Sequence, residues 1–190
     1  LTKRKYNIKY LIRKRKKRDL MNSCFMGIKK AKYDTCLIMD GDLQHNPKYI
    51  HGLYKKINSS NYDIGVCCRN FAKLNNKNLK FARKYSSIII TFIINIFLKK
   101  KTKDPLSGFF IFKKKLFKDF NFYYYTSGYK ILLNILYCTN RKIKLFDKII
   151  EFDKRINNKS KMSSKVLLNL IIQIFYLLYI RLFKKLIINK

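Results

Sequence analysis

An α/β fold, with a mainly parallel sheet covered by helices on its faces, is the class this chain predicts. Three observations carry that expectation. The apolar run Cys36–Met39 stops abruptly at Asp40-Gly41-Asp42. Short strand-like and longer helix-like segments alternate along the chain, and a second short run, Asp63–Cys68, ends on Arg69. At 190 residues the chain holds one ordinary domain with a sizeable core.

Lys9–Ile12 fits a short strand. Asp19 is a natural N-cap for a helix through about Lys32, with Leu20, Cys24, Ile28 and Ala31 on one side. Cys36–Met39 is too short for a helix and reads as a buried strand, and Gly41 and Asn46-Pro47 punctuate the loop after it. Asn46-Pro47 opens a second helix with Ile50, Leu53, Tyr54 and Ile57 at core spacing and Asn58–Asn61 as its exit. Asp63–Cys68 is the next strand.

Ser86–Leu98 is nearly continuous apolar sequence, too short to span a hydrocarbon core of roughly 30 Å and suited to a buried or interfacial helix. Lys99–Lys103 stops it with charge. Asp104-Pro105-Leu106-Ser107-Gly108 reads as a turn leading into an aromatic strand. Ser127–Cys138 reads as a helix with Ile131, Leu132, Ile135 and Leu136 inward, Ile143–Phe152 as a strand, and Asp153–Ser164 as a basic loop. In the tail, Val166–Phe183, the polar residues Lys165, Asn169, Gln173 and Lys184 fall along one narrow side of a helix. The wide Leu, Ile, Phe and Tyr face suits a membrane interface, a paired span or, in a soluble domain, the core.

Lys and Arg total 44 against 10 Asp and Glu, a formal charge of +34. Such a balance raises nucleic acid as a partner. The basic residues are spread through the whole chain and alternate with apolar runs, however, and anionic lipid headgroups match such a surface equally well. The densest block, Arg13–Arg18, also suits a solvated face or an interaction tail. Five cysteines with no Cys-x-x-Cys pair and no zinc-like His spacing read as reduced structural thiols, which fits a cytoplasmic setting. Neither an initiator Met nor a signal peptide opens the chain, so a front truncation is expected.

Asp40 and Asp42 fall at the mouth of the sheet, where ligands of open α/β folds collect. Asp-Gly-Asp is also an ordinary turn sequence. Two carboxylates one residue apart can share a hard cation that also holds a diphosphate.

Met39-Asp-Gly-Asp-Leu-Gln-His-Asn-Pro47 resembles the metal-binding segment of polyprenol-phosphate glycosyltransferases, the dolichol-phosphate mannosyltransferase group of glycosyltransferase family 2. Further segments resemble that family in the same order: Arg69; Arg83 and Ser87 in Phe81-Ala-Arg-Lys-Tyr-Ser-Ser87; Asp104-Pro-Leu-Ser-Gly-Phe-Phe110; Gly128-Tyr-Lys-Ile-Leu-Leu133; and Arg155-Ile-Asn-Asn-Lys-Ser-Lys161. Asn158 stands where the family has glycine, and Asn tolerates a positive φ.

The resemblance implies a GT-A, Rossmann-like domain over residues 1–163, lacking the family's first base-binding strand, and a membrane-associated helix over 164–190. It implies Mg²⁺ or Mn²⁺ held by Asp40, Asp42 and Gln44, and an acceptor phosphate held by Arg69, Arg83 and Ser87. Arg155, Ser160 and Lys161 join Asp40, Asp42 and Gln44 around the donor, Asp104, Ser107 and Gly108 line the sugar and acceptor region, and Lys130 is secondary. Asp42, Arg69 and Arg83 form the catalytic set.

The implied reaction is inverting transfer of a sugar, mannose from GDP-mannose, to a polyprenyl or dolichyl phosphate at the cytoplasmic face of a membrane, with no nucleic-acid partner. A UDP-sugar-dependent glucosyl- or aminosugar transferase is the alternative. A basic nucleic-acid-binding module and an inactive membrane scaffold are the readings from other classes.

Overall fold

The computed structural model describes residues 12, 20–42, 44–70, 90, 92, 94–96, 102–118, 129–139, 142–151 and 164–188. In chain order these form α1 (Leu20–Lys30), β1 (Thr35–Ile38), α2 (Tyr49–Ser59), β2 (Ile64–Arg69), β3 (Phe110–Lys113), the single turn α3 (Lys115–Lys118), α4 (Ile131–Cys138), β4 (Leu145–Ile150) and α5 (Ser164–Ile188). Residues 90, 92 and 94–96 are helical as well. Apart from Ile12, the expected strand Lys9–Ile12 lies outside the described residues, as does the loop from Asp153 up to α5.

The four strands form one sheet in the order β1-β3-β2-β4. β2 and β4 are parallel from Ile64↔Leu145 to Arg69↔Ile150. β3 runs antiparallel to both β1 and β2, with Ile38 and Val66 each opposite Phe110. The sheet is therefore mixed, and the expectation of a mainly parallel sheet is corrected on this point. An antiparallel strand inserted into an otherwise parallel α/β sheet leaves the residue alternation of its neighbours unchanged, so apolar pattern alone does not reveal it.

Side chains alternate across the strands and build two cores. On one face Ile64, Val66, Cys68, Phe110 and Phe112 pack with Met21, Phe25 and Ile28 of α1, residues 131–136 of α4, and Leu170 and Leu177 of α5. On the other, Cys67, Phe109, Ile111, Phe146 and Ile150 pack with Leu53 and Ile57 of α2. Burial on both faces is why β2 reads as a continuous apolar run. Each fully buried large side chain contributes roughly 1.5–3 kcal/mol, and Phe109, Phe110 and Phe112 are all fully buried. Gly65 makes room for the neighbouring strand: a Cβ there would lie 2.7 Å from Cε1 of the Phe146 ring.

The helices turn slightly from the expected faces. α1 buries Met21, Phe25 and Ile28 and leaves Leu20 39% exposed at its first residue, while Cys24 and Ala31 flank the core. α2 buries Leu53 and Ile57, packs Ile50 at the edge and leaves Tyr54 54% exposed. Its start follows the Asn46-Pro47 turn, where Asn46 Oδ1 accepts from Lys48 N at 3.0 Å and Pro47 O from Ile50 N at 3.0 Å.

The largest departure is in α5. Gln173, expected on a polar side, is fully buried against α4. Its amide donates to the Lys130 carbonyl at 2.9 Å, beside Leu170, Leu177 and Ile180, and so it serves the core side. Leu168, Ile171, Ile172, Phe175, Tyr176 and Tyr179 consequently face outward, Phe175 at 68% exposure. Among the described residues no helix is long and apolar enough to cross a membrane.

The cysteines behave as expected where they are described. Cys24, Cys36, Cys67 and Cys68 are free thiols, and burial pushes the Cys67 thiol up to about 12 and that of Cys24, helped by Asp40, up to about 11.

At the opposite edge of the sheet from the Asp-Gly-Asp loop, Asp63 clamps β2. Its carboxylate accepts from Lys144 N at 3.0 Å and pairs with Lys115 Nζ at 2.9 Å, and its carbonyl accepts from Lys113 N at 2.9 Å. Burial by itself would raise its pKa, but the Lys115 and Lys144 contacts outweigh that and hold it below 3.8. The carboxylate thus adds stability that is present above its unfolded pKa and lost as pH falls through the lower folded value. Asp63→Asn is expected to lower stability at pH 7 by about 1.5–3 kcal/mol. The gap between the urea midpoints of variant and parent should narrow as pH falls below the ordinary Asp range, and a gap that stays constant with pH would contradict the assignment.

Candidate active site

The site is assembled where β1 and β2 end and β3 begins. Because Ile38 and Val66 both face Phe110, the loop after β1, the last residue of β2 and the segment before β3 meet at one sheet edge. This brings together Asp40, Asp42 and Gln44, then Arg69, then Asp104, Ser107 and Gly108. Sequence alone places these residues in three separate loops.

The Asp104–Phe109 segment is the most tightly held part. Pro105 sits at the second position of a β-turn closed by Ser107 N to Asp104 O at 3.1 Å, a position where its fixed φ is favourable. Asp104 has no exposed surface, and burying an ionised carboxylate is costly unless it is paired. Arg69 supplies the pair with a two-pronged fork: Nε to Oδ2 at 2.7 Å and Nη2 to Oδ1 at 2.9 Å, with Arg69 N adding a contact at 3.3 Å.

Ser107 pins the other end. Its hydroxyl donates to the Cys67 carbonyl at 2.6 Å and accepts from Phe109 N at 3.1 Å, while Cys67 N donates to Phe109 O at 3.0 Å. Lys130 Nζ donates to the Leu106 carbonyl at 2.7 Å, so the lysine of the Gly-Tyr-Lys segment fastens this loop to the start of α4.

The sequence reading has Arg69 aimed at an acceptor phosphate. In the structure two of its guanidinium nitrogens serve Asp104, and the residue fixes the loop.

The acidic loop is more open. Asp40 keeps 46% of its side chain exposed, and Asp42 is half-buried with Oδ1 3.4 Å from Gln44 N. Among the described residues no cluster of three or more His, Cys, Asp or Glu side chains could hold a metal by itself. The oxygen donors of Asp40, Asp42 and Gln44 nevertheless fit a cation such as Mg²⁺, which takes one or two carboxylates and completes its shell with phosphate oxygens and water. A cleft of about 110 Å³ opens beside Asp40, lined by Leu20, Cys24, Gly108, Phe110, Tyr129 and Ile131 among others.

Two groups that the sequence reading passed over support this arrangement. His45 is buried, its ring 5.1 Å from that of Phe109 and its Nε2 3.8 Å from Asp40 Oδ2. Asp147 accepts from Thr102 Oγ1 at 2.7 Å and from Lys103 N at 2.8 Å, tying β4 to the loop that leads into Asp104. A carboxylate in the middle of an apolar strand was the available signal for Asp147, and the His closing the acidic motif was that for His45. Arg83, Ser87, Arg155, Ser160 and Lys161 lie outside the described residues.

Removing Arg69 leaves a buried carboxylate without its counter-ion. Arg69→Ala is expected to cost about 3–5 kcal/mol in urea unfolding, and Arg69→Lys to recover only part because an ammonium cannot reproduce the planar fork. A stability unchanged in Arg69→Ala would remove the pair from its organising role.

Residues 1–120 match the family description Glycosyl transferase family 2. The chain is 31% identical over 176 residues to a dolichol-phosphate mannosyltransferase of Pyrococcus furiosus, covering 92% of this chain and 49% of that protein. Proteins of the same name from Saccharomyces cerevisiae and Mycosarcoma maydis are 25% and 24% identical, over 89% and 85% of this chain and 64% and 54% of their own lengths. The chain thus spans about half to two-thirds of the length of these relatives. With the acidic loop and the Asp104–Phe110 segment meeting at one sheet edge, and with the match running through both, the chain belongs to glycosyl transferase family 2.

Proposed function

We propose that this chain is the catalytic part of an inverting glycosyltransferase that moves a sugar, mannose from GDP-mannose, onto a polyprenyl or dolichyl phosphate at a membrane surface. The observation that carries the reading is the meeting of Asp40 with Gly108 of the Asp104–Phe110 segment at the carboxyl ends of β1 and β2. The likeness to dolichol-phosphate mannosyltransferases supports the donor and the acceptor. A UDP-sugar donor is the second reading, since in this proposal the acidic loop meets the diphosphate, which GDP and UDP share, and not the base.

In this proposal Asp40, Asp42 and Gln44 would hold Mg²⁺ or Mn²⁺, which would supply neutralisation of the charge on the departing nucleoside diphosphate. Arg83 and Ser87, one helical turn apart in sequence, bind the acceptor phosphate together with whatever donor capacity Arg69 retains beyond Asp104. Arg155, Ser160 and Lys161 bind the donor. Asp104, Ser107 and Gly108 shape the sugar region.

No general base is needed. A phosphomonoester with a second pKa of about 6 is already largely ionised near neutral pH. Its oxygen attacks the anomeric carbon, a new carbon–oxygen bond forms as the bond to the diphosphate breaks, and configuration inverts. The protein's contribution is positioning and charge neutralisation.

The outward face of α5 suits the proposed membrane surface, with Leu168, Ile171, Phe175 and Tyr179 exposed on a strongly basic chain. The cytoplasmic leaflet, rich in anionic lipid, is the proposed side.

Transfer of label from GDP-mannose and from UDP-glucose to a short polyprenyl phosphate, with and without Mn²⁺, tests the reaction. Metal-dependent label in the lipid phase is expected with GDP-mannose, and Asp42→Ala should abolish it. Full activity in Asp42→Ala would contradict the site; label only from UDP-glucose would favour the second reading. Salt-sensitive binding to DNA or RNA without any transfer would favour the nucleic-acid module.

Sedimentation with anionic vesicles tests the membrane face. Phe175→Ser with Leu168→Ser is expected to lower the vesicle partition constant by about 100-fold or more where both side chains enter the lipid, each being worth on the order of 1.5–3 kcal/mol when fully buried. Equal binding by parent and variant would move the contact elsewhere.

A further inference from the structure

We infer that Gly108 is a positioning residue for Asp40: the backbone of the Asp104–Phe109 loop and the buried ring of His45 together bound the seat of that carboxylate. The inference rests on the proposed cation site and adds to it a residue whose contribution is the absence of a side chain.

Space, not torsion, is what glycine supplies at this point. The Gly108 backbone is outside the left-handed region, yet a Cβ built there would lie 2.7 Å from Asp40 Cγ and 3.0 Å from Oδ1, and closer still to Oδ2. Carbon atoms in good contact sit about 3.5–4.0 Å apart, so the overlap is on the order of 1 Å. One partner must move, and the loop is the less able to do so. Ser107 Oγ is bonded to Cys67 O at 2.6 Å, Cys67 N to Phe109 O at 3.0 Å, and Asp104 is clamped by Arg69. Phe109, next in the chain, is fully buried.

The exposed carboxylate of Asp40 is therefore the part that yields. His45 Nε2 stands 3.8 Å from Oδ2, the carboxylate oxygen nearest the Gly108 position, and the His45 ring rests against Phe109. The same three residues, Ser107–Phe109, thus supply the floor of the seat and the support for its wall. A carboxylate bounded by that backbone and by an imidazole has fewer orientations open to it, which favours a cation ligand.

Mn²⁺ titration followed by electron paramagnetic resonance, combined with thermal unfolding, tests this on the purified 190-residue chain. Gly108→Ala is expected to weaken Mn²⁺ binding about 10-fold or more, the range seen when the support of a metal ligand is disturbed. Gly52→Ala, where an added Cβ meets nothing within 4 Å, should bind as the parent does.

The contact itself is isolated by a double-mutant cycle. Gly108→Ala should lower Tm slightly in the parent, where the carboxylate must turn aside, and not at all in an Asp40→Ala background, because the clashing carboxylate is gone. Parent-like Mn²⁺ affinity in Gly108→Ala, or an equal loss of Tm in both backgrounds, overturns the inference. A parent chain that binds no Mn²⁺ overturns the cation reading instead, and the thermal cycle then decides the seat without reference to the metal.

Discussion

The Arg69–Asp104 pair is the constraint on which the site depends. A carboxylate with no solvent contact is tolerable only because a guanidinium fork meets both of its oxygens, at 2.7 and 2.9 Å. Arg69 ends β2, and Asp104 begins the turn that feeds β3, so one ion pair sets the approach of the loop to the sheet. Once that approach is set, Ser107 reaches the Cys67 carbonyl, Phe109 enters the core under α2, and Gly108 comes against Asp40.

The surrounding contacts extend the same logic to the flanking elements. Asp147 of β4 holds Thr102 and Lys103 ahead of the turn, and Lys130, ahead of α4, holds Leu106 within it. Gln173 of α5 in turn holds the Lys130 carbonyl. A helix that presents phenylalanine, tyrosine and leucine to the outside is thereby joined, through a buried amide and a lysine, to the loop that seats Asp40. Physical contiguity of this kind gives one rigid edge from which an acidic, more exposed loop projects, an arrangement suited to a reaction that needs positioned charge more than a proton carrier.

Much of the architecture was legible because its signals are local. Strands β1 and β2 announced themselves as short apolar runs ending in charge, α2 by its Asn-Pro start and Leu53/Ile57 spacing, and α4 by the density of apolar residues at 131–136. The failures share a cause. Leu20 and Tyr54 lie on the expected helical stripes, but only the angle at which each helix meets the sheet decides how far the buried stripe extends. Gln173 reads as polar and outward until a carbonyl from another element is placed opposite it. The antiparallel course of β3 shows only in its pairing with β1 and β2, between residues more than 40 positions apart.

By itself the sequence determined that the chain is an α/β protein with Asp40, Asp42 and Gln44 beyond a strand end, that Asp104-Pro-Leu-Ser-Gly is a turn, and that the chain resembles family 2 glycosyltransferases. These are properties of residue type and of spacing within a few positions, where covalent geometry limits the outcomes. Only the tertiary structure decided that Arg69 turns inward to Asp104, that Gln173 belongs to the core, and that Gly108 is needed for the space it leaves to Asp40. Each of these is a contact between segments far apart in the chain. Its sign, satisfied or clashing, exists only after packing has brought the two groups within a few ångströms.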